Sequence, residues 1–136
     1  MNRIRKIVYT VFSILLFTST LYAQKQKKDT LFFNVEKNYL IEFDELPNEI
    51  YPIDAGSDGS GTFYFQVLDT LFKLNPKEIL CLKEFVRSSK FYNKYKTKKL
   101  DDYGLWDYLD DYQIFLVKEN KNETLYLKVY AGFVIE

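Results

Sequence analysis

The strongest pattern in the sequence lies near its end, where apolar residues occupy every odd position from 125 to 135. The even positions of this stretch include Tyr126, Lys128 and Tyr130. Successive side chains of a β-strand point to opposite faces of the sheet, so the odd positions are expected to face a core. The apolar stretch 114–118 and the polar stretch 119–123 precede this strand. Together they predict a C-terminal β-hairpin.

Three earlier segments also favour β-strands. Residues 31–35 and 39–43 alternate with period 2, and 62–68 is rich in aromatic residues. The stretch 44–61 contains two prolines and three glycines, which predicts a long surface loop. Because loops longer than about 12 to 15 residues are uncommon unless they are functional or disordered, this loop is a candidate place for binding.

The clearest helix signal begins at Asn75. Asparagine is a favoured N-cap, Pro76 suits the first helical position, and Glu78 can bond back to the cap. Apolar residues then recur at three- and four-residue spacing and form one stripe, which comprises Ile79, Leu82, Phe85 and Val86. We therefore predict a helix over 76–92 with Leu82 in the core. Cys81 is expected to act there as a small packing residue.

The order strand, strand, strand, helix, strand, strand predicts an α+β fold. Its expected form is an antiparallel sheet of four or five strands with one long helix packed on one face. A chain of this length can bury one core, and its hydrophobic content of 47% supplies the apolar surface. We expect a single domain over 29–136, preceded by a lysine-rich flexible tail over 24–28.

The N-terminal residues have the pattern of an export signal. Arg3, Arg5 and Lys6 precede an apolar run over 7–17, and Ala23 provides a small residue before Gln24. The apolar run is shorter than the roughly 20 residues that a membrane-spanning helix needs. We therefore expect residues 1–23 to be removed as a signal peptide. The remaining protein would be periplasmic or secreted, with no membrane span.

Composition argues against several classes of function. Removal of residues 1–23 takes away three of the 19 basic residues and none of the 19 acidic ones, which leaves 16 basic residues and a mildly acidic chain. Nucleic-acid binding needs clustered basic charge, so no nucleic-acid partner is expected. The chain has no histidine, the commonest general base and metal ligand, and its single cysteine has no intramolecular disulfide partner. We predict no cofactor, no metal and no catalytic residues.

The segment 100–112 interleaves aspartates with aromatic residues. Its candidate binding residues are Tyr103, Trp106, Asp107, Tyr108, Asp110 and Asp111. Aromatic faces beside carboxylates suit a sugar or a cationic peptide side chain, and paired carboxylates can also serve a glycosidase. The structural alternative is a short helix over 103–110 that buries Leu105, Trp106 and Leu109 and leaves the aspartates in solvent.

The leading hypothesis is a small exported, non-catalytic domain that binds a protein or a cell-envelope component. A carbohydrate- or peptide-recognition module that uses 100–112 is the alternative, and a carboxylate-dependent hydrolase is the third hypothesis. A sheet covered on one face by a single helix would leave Tyr126, Lys128 and Tyr130 exposed as a contact surface. Exposed tyrosines would support that surface, whereas buried ones would leave 100–112 as the remaining candidate.

Overall fold

The computed structural model describes residues 28–42, 49–54, 58 and 62–135, together with residues 3 and 6–9. Its six strands are β1 (Asp29–Asn34), β2 (Ile50–Pro52), β3 (Phe63–Leu71), β4 (Leu80–Cys81), β5 (Tyr112–Glu119) and β6 (Thr124–Phe133). The helices between residues 28 and 135 are α1 (Leu82–Ser88) and α2 (Asp102–Asp110). Among the described residues, none lies in a helix long and apolar enough to cross a membrane. Most of the expected signal peptide and the tail residues 24–27 lie outside the described residues.

The six strands form one mixed sheet in the order β2-β3-β6-β5-β1-β4. Strand β1 runs parallel to both β4 and β5, while the other neighbouring pairs are antiparallel. The prediction of an antiparallel sheet of four or five strands is therefore wrong. Strand alternation reports which face a residue occupies, but only a short turn forces neighbouring strands to be antiparallel. Both helices lie between β1 and β5 in the chain, so this pair is free to be parallel.

The C-terminal hairpin confirms the strongest sequence pattern. Strands β5 and β6 pair antiparallel, with Leu116 opposite Leu127, and the backbone N–H of Asn120 donates to the carbonyl of Glu123 at 2.9 Å in the turn. Leu127, Val129 and Ala131 are buried, as the odd positions of β6 were expected to be. The alternation therefore placed the core face correctly for 127–131, but the predicted core residue Ile135 lies beyond the end of β6 and is 84% exposed, so that part of the prediction is wrong.

The predicted long helix over 76–92 is wrong, because α1 comprises only seven residues. Leu80 and Cys81 instead extend the sheet as β4, where Leu80 pairs with Phe33. Cys81 is the N-cap residue of α1, forms no side-chain capping bond and is exposed, so the prediction that it packs within the helix is wrong. An asparagine cap contributes only about 1 kcal/mol, so it does not by itself decide where a helix begins. Leu82 and Val86 are nevertheless buried, as the apolar stripe predicted.

Two other expectations change at the opposite edge of the sheet. In its described part, 39–42, the predicted strand over 39–43 is reduced to an isolated bridge between Leu40 and Ile53, which follows a turn where Asn38 has a φ of 65°. Part of the predicted 44–61 loop is strand β2, which pairs antiparallel with β3. Proline is tolerated there because β2 is an edge strand. Residues 43–48, 55–57 and 59–61 lie outside the described residues.

The main core lies between the helices and one face of the sheet. Its residues with no more than 2% exposure are Phe33, Tyr39, Ile53, Phe63, Phe65, Leu82, Val86, Leu105, Leu109, Ile114 and Leu116. A smaller cluster on the opposite face joins Phe115, Val117 and Tyr126 to the partly buried Phe32, Leu71 and Leu74. Both faces of the sheet therefore bury apolar side chains.

Candidate functional site

Helix α2 contains most of the aromatic-acidic segment that the sequence singled out. Its first turn is capped by Asp101, whose carboxylate accepts a hydrogen bond from the Gly104 N–H at 3.1 Å. Leu105 and Leu109 lie one turn apart and are buried, whereas Trp106 is only partly buried. The expectation of a short helix with its leucines in the core is therefore confirmed.

Two aromatic rings of this helix contact each other and a third ring from the end of β6. Tyr103, Trp106 and Phe133 have ring centroids 5.7 to 6.1 Å apart, and we call them the aromatic platform. Tyr103 is 62% exposed, while Trp106 and Phe133 are partly buried. Two of the three ring pairs have edge-on geometry, which is a favourable arrangement for aromatic side chains. The platform is thus an ordered aromatic surface that remains open to solvent.

A second aromatic group lies toward the end of α2. The ring of Tyr108 contacts those of Phe85, Phe91 and Tyr112, with centroids 5.3 to 6.4 Å apart. The hydroxyl groups of Tyr108 and Tyr112 are 3.3 Å apart, and this hydrogen bond raises the pKa of Tyr112. Because Phe85 belongs to α1, this group joins the two helices. Tyr108 therefore has a structural role even though it is 40% exposed.

The aspartates of the segment face solvent. Asp107 and Asp110 of α2 are exposed and lie three residues apart, and Asp111, the C-cap residue of the helix, is also exposed. The backbone carbonyl of Asp110 accepts a hydrogen bond from Lys28 at 2.8 Å. No lysine or arginine occurs between residues 100 and 112. The exposed side of α2 is therefore locally negative.

Catalysis by these carboxylates has little structural support. A glycosidase acid works in an apolar pocket that holds its proton, whereas Asp107, Asp110 and Asp111 are in solvent. Within the described part of the chain, no group of three or more histidine, cysteine or acidic residues is arranged to hold a metal ion. The arrangement is suited to contact with a ligand rather than to proton transfer.

The structure separates the three predicted site residues of β6. Tyr126 is only 8% exposed and packs edge-on against Phe32 in the second apolar cluster. Tyr130 is 42% exposed, and its hydroxyl donates to the side-chain oxygen of Gln66. Lys128 lies between them and is partly buried. The expected surface with both tyrosines exposed is therefore absent, which leaves 100–112 as the candidate region.

An ion pair between a buried carboxylate and a partly exposed arginine joins the predicted 44–61 loop to α1, and sequence analysis did not identify it. Asp58 is 1% exposed, and its two carboxylate oxygens accept from the Arg87 Nε at 2.9 and 3.1 Å. Arg87 is the only arginine after the expected signal peptide. Arginine is favoured in buried ion pairs, so its single occurrence was a usable signal.

The Tyr39 hydroxyl lies beside this ion pair. Tyr39 is 2% exposed, and its hydroxyl lies next to the Asp58 carboxylate. Burial raises the pKa of Tyr39, the Asp58 carboxylate raises it further, and Arg87 acts in the opposite direction. Desolvation and Asp58 also raise the pKa of Tyr92. The negative charge of Asp58 thus raises the pKa of both Tyr39 and Tyr92.

We expect Tyr39 to resist ionisation when the pH is raised. An ordinary tyrosine ionises near pH 10. Because the folded-state pKa of Tyr39 is raised, its contribution to the free energy of unfolding is fully present below about pH 10 and is lost as the pH rises further. Urea melts at increasing pH would measure this decline, with Tyr39→Phe as the control. An equal alkaline decline in both proteins would contradict the prediction.

A cleft of about 830 Å³ opens where the parallel strands β1 and β5 end. Glu36, Glu42 and Lys118 line it. Lys118 pairs with Glu42 at 3.3 Å, and the Glu36 carboxylate accepts from the backbone N–H of Lys83 at 3.1 Å. Ligands often bind at the carboxyl ends of parallel strands. Glu36, Glu42 and Lys118 are already bonded to other groups of the protein. The cleft is therefore a weaker candidate for ligand binding than the aromatic platform.

A cluster of lysines lies between α1 and α2. The equal numbers of basic and acidic residues in the whole chain gave no indication of it. Residues 85–100 include Arg87 and five lysines but no acidic residue; the lysines are Lys90, Lys94, Lys96, Lys98 and Lys99. We call residues 90–100 the lysine loop. Tyr92 and Leu100 form a β-bridge at its base, and Tyr95 is 86% exposed. The run of lysines near Tyr95 was visible in the sequence.

Comparisons with family models, curated proteins and solved structures find no match to this chain. The class of the protein is therefore defined by its fold alone: a mixed six-stranded sheet with two short helices among the described residues of 28–42, 49–54, 58 and 62–135.

Proposed function

We propose that the chain is an exported, non-catalytic binding domain whose aromatic platform recognises a cationic segment of a partner protein. The observation that carries this proposal is the exposure of Tyr103, which keeps 62% of its surface in solvent while it packs against Trp106 and Phe133. Clustered exposed apolar surface is typical of interaction sites. Tyrosine and tryptophan are also the residues most often found at binding hot spots.

The local charge favours a cationic ligand. Asp107, Asp110 and Asp111 place carboxylates on the exposed side of α2, and the helix contains no basic residue. Lysine and arginine side chains are attracted both to carboxylates and to the faces of tyrosine and tryptophan rings. A neutral sugar would stack on the same rings but would gain less from the negative charge. The charge pattern therefore favours a basic peptide segment over a carbohydrate.

The support beneath the platform also suits binding. Leu105 and Leu109 anchor α2 in the main core, with 0% and 1% exposure. Trp106 packs against this core and against Phe133 of β6. Groups that are already ordered lose less conformational entropy when a ligand binds. A ligand would therefore bind the platform more tightly than it would bind the same rings in a mobile segment.

Trp106 is the only tryptophan in the chain, so its fluorescence reports directly on the platform. We expect an oligoarginine peptide to change this fluorescence in a saturable, salt-sensitive way, while a length-matched oligoglutamine peptide has no effect. Tyr103→Ser should weaken the affinity for oligoarginine by about tenfold, as expected for loss of a hot-spot residue. The measurement is a fluorescence titration of the purified protein, taken in the form that remains after the cell has processed it.

The matched control is Tyr95→Ser, because Tyr95 is more exposed than Tyr103 but lies outside the platform. Its affinity for oligoarginine should equal that of the parent protein. Equal losses in both variants would contradict a site at the platform. A fluorescence response to a neutral oligosaccharide, without one to oligoarginine, would instead assign the platform to carbohydrate recognition.

A further inference from the structure

The lysine loop presents a positive charge cluster and an exposed aromatic ring together. We propose that this loop docks the protein on the surface of an anionic phospholipid membrane. The proposal is independent of the aromatic platform, because it depends on different residues and on charge of the opposite sign.

The distribution of charge is the first argument. Lys90, Lys94 and Lys96 are all exposed and lie within seven residues of one another. The same stretch of the chain contains no carboxylate side chain, although the mature chain has more acidic than basic residues. A basic cluster is attracted by the negative surface potential of anionic lipids, and salt weakens that attraction. This part of the molecule would therefore face the lipid.

The geometry of the loop is the second argument. The Asn93 N–H donates to the Lys99 carbonyl at 2.6 Å, and Leu100 is buried in the main core. On the other side of the base, Phe91 packs over Gly104, where an added Cβ would lie 2.7 Å from the ring. These contacts fix the base of the loop. Lysine loop residues beyond this base, including Tyr95, extend into solvent.

The identity of the exposed side chains is the third argument. The Lys94 ammonium lies 5.0 Å from the centroid of the Tyr95 ring, so a cation and an amphipathic ring occur side by side. Tyrosine rings are enriched at membrane interfaces, where lysine stems lie along apolar surface and their ammonium groups reach water and phosphate. The loop offers both groups that such an interface accommodates.

The choice of lysine favours a lipid layer over an acidic protein. The loop contains no arginine, the residue whose planar group binds carboxylates in a fixed bidentate geometry. Lysine is instead a compact charge on a flexible stem, which suits phosphates that diffuse within a fluid layer. Tyr95 is 86% exposed, so it is not held in a groove that an acidic peptide would fill.

The test is cosedimentation of the processed protein with vesicles of phosphatidylglycerol and phosphatidylcholine, compared with vesicles of phosphatidylcholine alone. We expect binding only to the vesicles that contain phosphatidylglycerol, and we expect added salt to weaken it. The triple variant Lys90→Gln, Lys94→Gln, Lys96→Gln should lose about tenfold or more in apparent affinity, since three of the loop's attractive charges are removed. Thermal melts would establish that the variants are folded.

The matched control replaces three other exposed lysines, Lys73, Lys77 and Lys121, by glutamine. It changes net charge by the same amount, so its affinity should stay within about twofold of the parent if the loop is the docking site. Equal losses in the two triple variants, or no binding to phosphatidylglycerol at low salt, would overturn the proposal. Binding of polyglutamate by the loop, with no binding to the phosphatidylglycerol vesicles, would assign the loop to an acidic protein segment instead.

Tyr103→Ser separates this proposal from the proposed function. It removes a platform residue and should leave vesicle binding unchanged. Loss of vesicle binding in Tyr103→Ser, with the lysine variants unaffected, would place membrane contact at the platform and overturn the assignment to the lysine loop.

Discussion

Leu82→Ala is expected to lower the free energy of unfolding by about 2 to 5 kcal/mol, whereas Ile79→Ala should change it by less than about 0.5 kcal/mol. The difference follows from burial, since Leu82 is fully buried and Ile79 is 46% exposed. A helix that began at Pro76 would place both residues on one apolar stripe. The structure instead puts Ile79 before β4 and Leu82 at the start of α1.

Urea melts of the two variants would measure this difference, and Asn75→Ala extends the test. Removal of an asparagine N-cap costs about 1 kcal/mol. Cys81 rather than Asn75 occupies the N-cap position of α1, so Asn75→Ala should be close to neutral. Similar losses for Ile79→Ala and Leu82→Ala, together with a loss for Asn75→Ala, would show that the helix starts earlier than the structure places it.

The parts of the fold that sequence analysis predicted correctly depend on contacts close in the chain. The β5–β6 hairpin needs only a polar turn and regular alternation, and both occur between 114 and 133. Helix α2 has two leucines one turn apart, Leu105 and Leu109, as the predicted short helix over 103–110 required. These local signals agree with the tertiary structure, so they were sufficient.

The parts that were predicted wrongly depend on contacts between distant segments. Leu80 becomes a strand residue because it pairs with Phe33, far away in the sequence. The local capping signal at Asn75 contained no information about that pairing. Similarly, the parallel arrangement of β1 and β5 depends on how the intervening helices return the chain to the sheet. Neither residue spacing nor hydrophobic periodicity specifies such a return.

The candidate site shows the same division. Tyr103 and Trp106 were predicted from their own segment, but the third ring of the platform, Phe133, comes from β6. The alternating pattern of β6 predicted only that Phe133 lies on the core face of the sheet. The separation of Tyr126 from Tyr130 depends on Phe32 and Phe115, which pack on the second face of the sheet beside Tyr126. Lysine clustering was visible locally but disappeared when charge was summed over the whole chain.

Arg87→Gln is expected to lower the free energy of unfolding by about 3 to 5 kcal/mol at neutral pH. The Asp58 side chain is 0% exposed, while that of Arg87 is 41% exposed. Because solvent screens the exposed guanidinium, the attraction within the pair is not the main source of this loss. The larger cost is the buried carboxylate that remains without its cation and without its two hydrogen bonds. Lys90→Gln removes a nearby exposed cation and should have an effect below about 0.5 kcal/mol.

The double variant Asp58→Asn, Arg87→Gln identifies the source of the loss. It removes the cation but also replaces the carboxylate by a neutral amide, so no uncompensated charge stays buried. It should therefore be more stable than Arg87→Gln alone, and the two single effects should not add. Urea melts of the parent, both single variants and the double variant complete the cycle. Additive losses would show that Asp58 and Arg87 act separately, and would contradict an ion pair that ties residue 58 to α1.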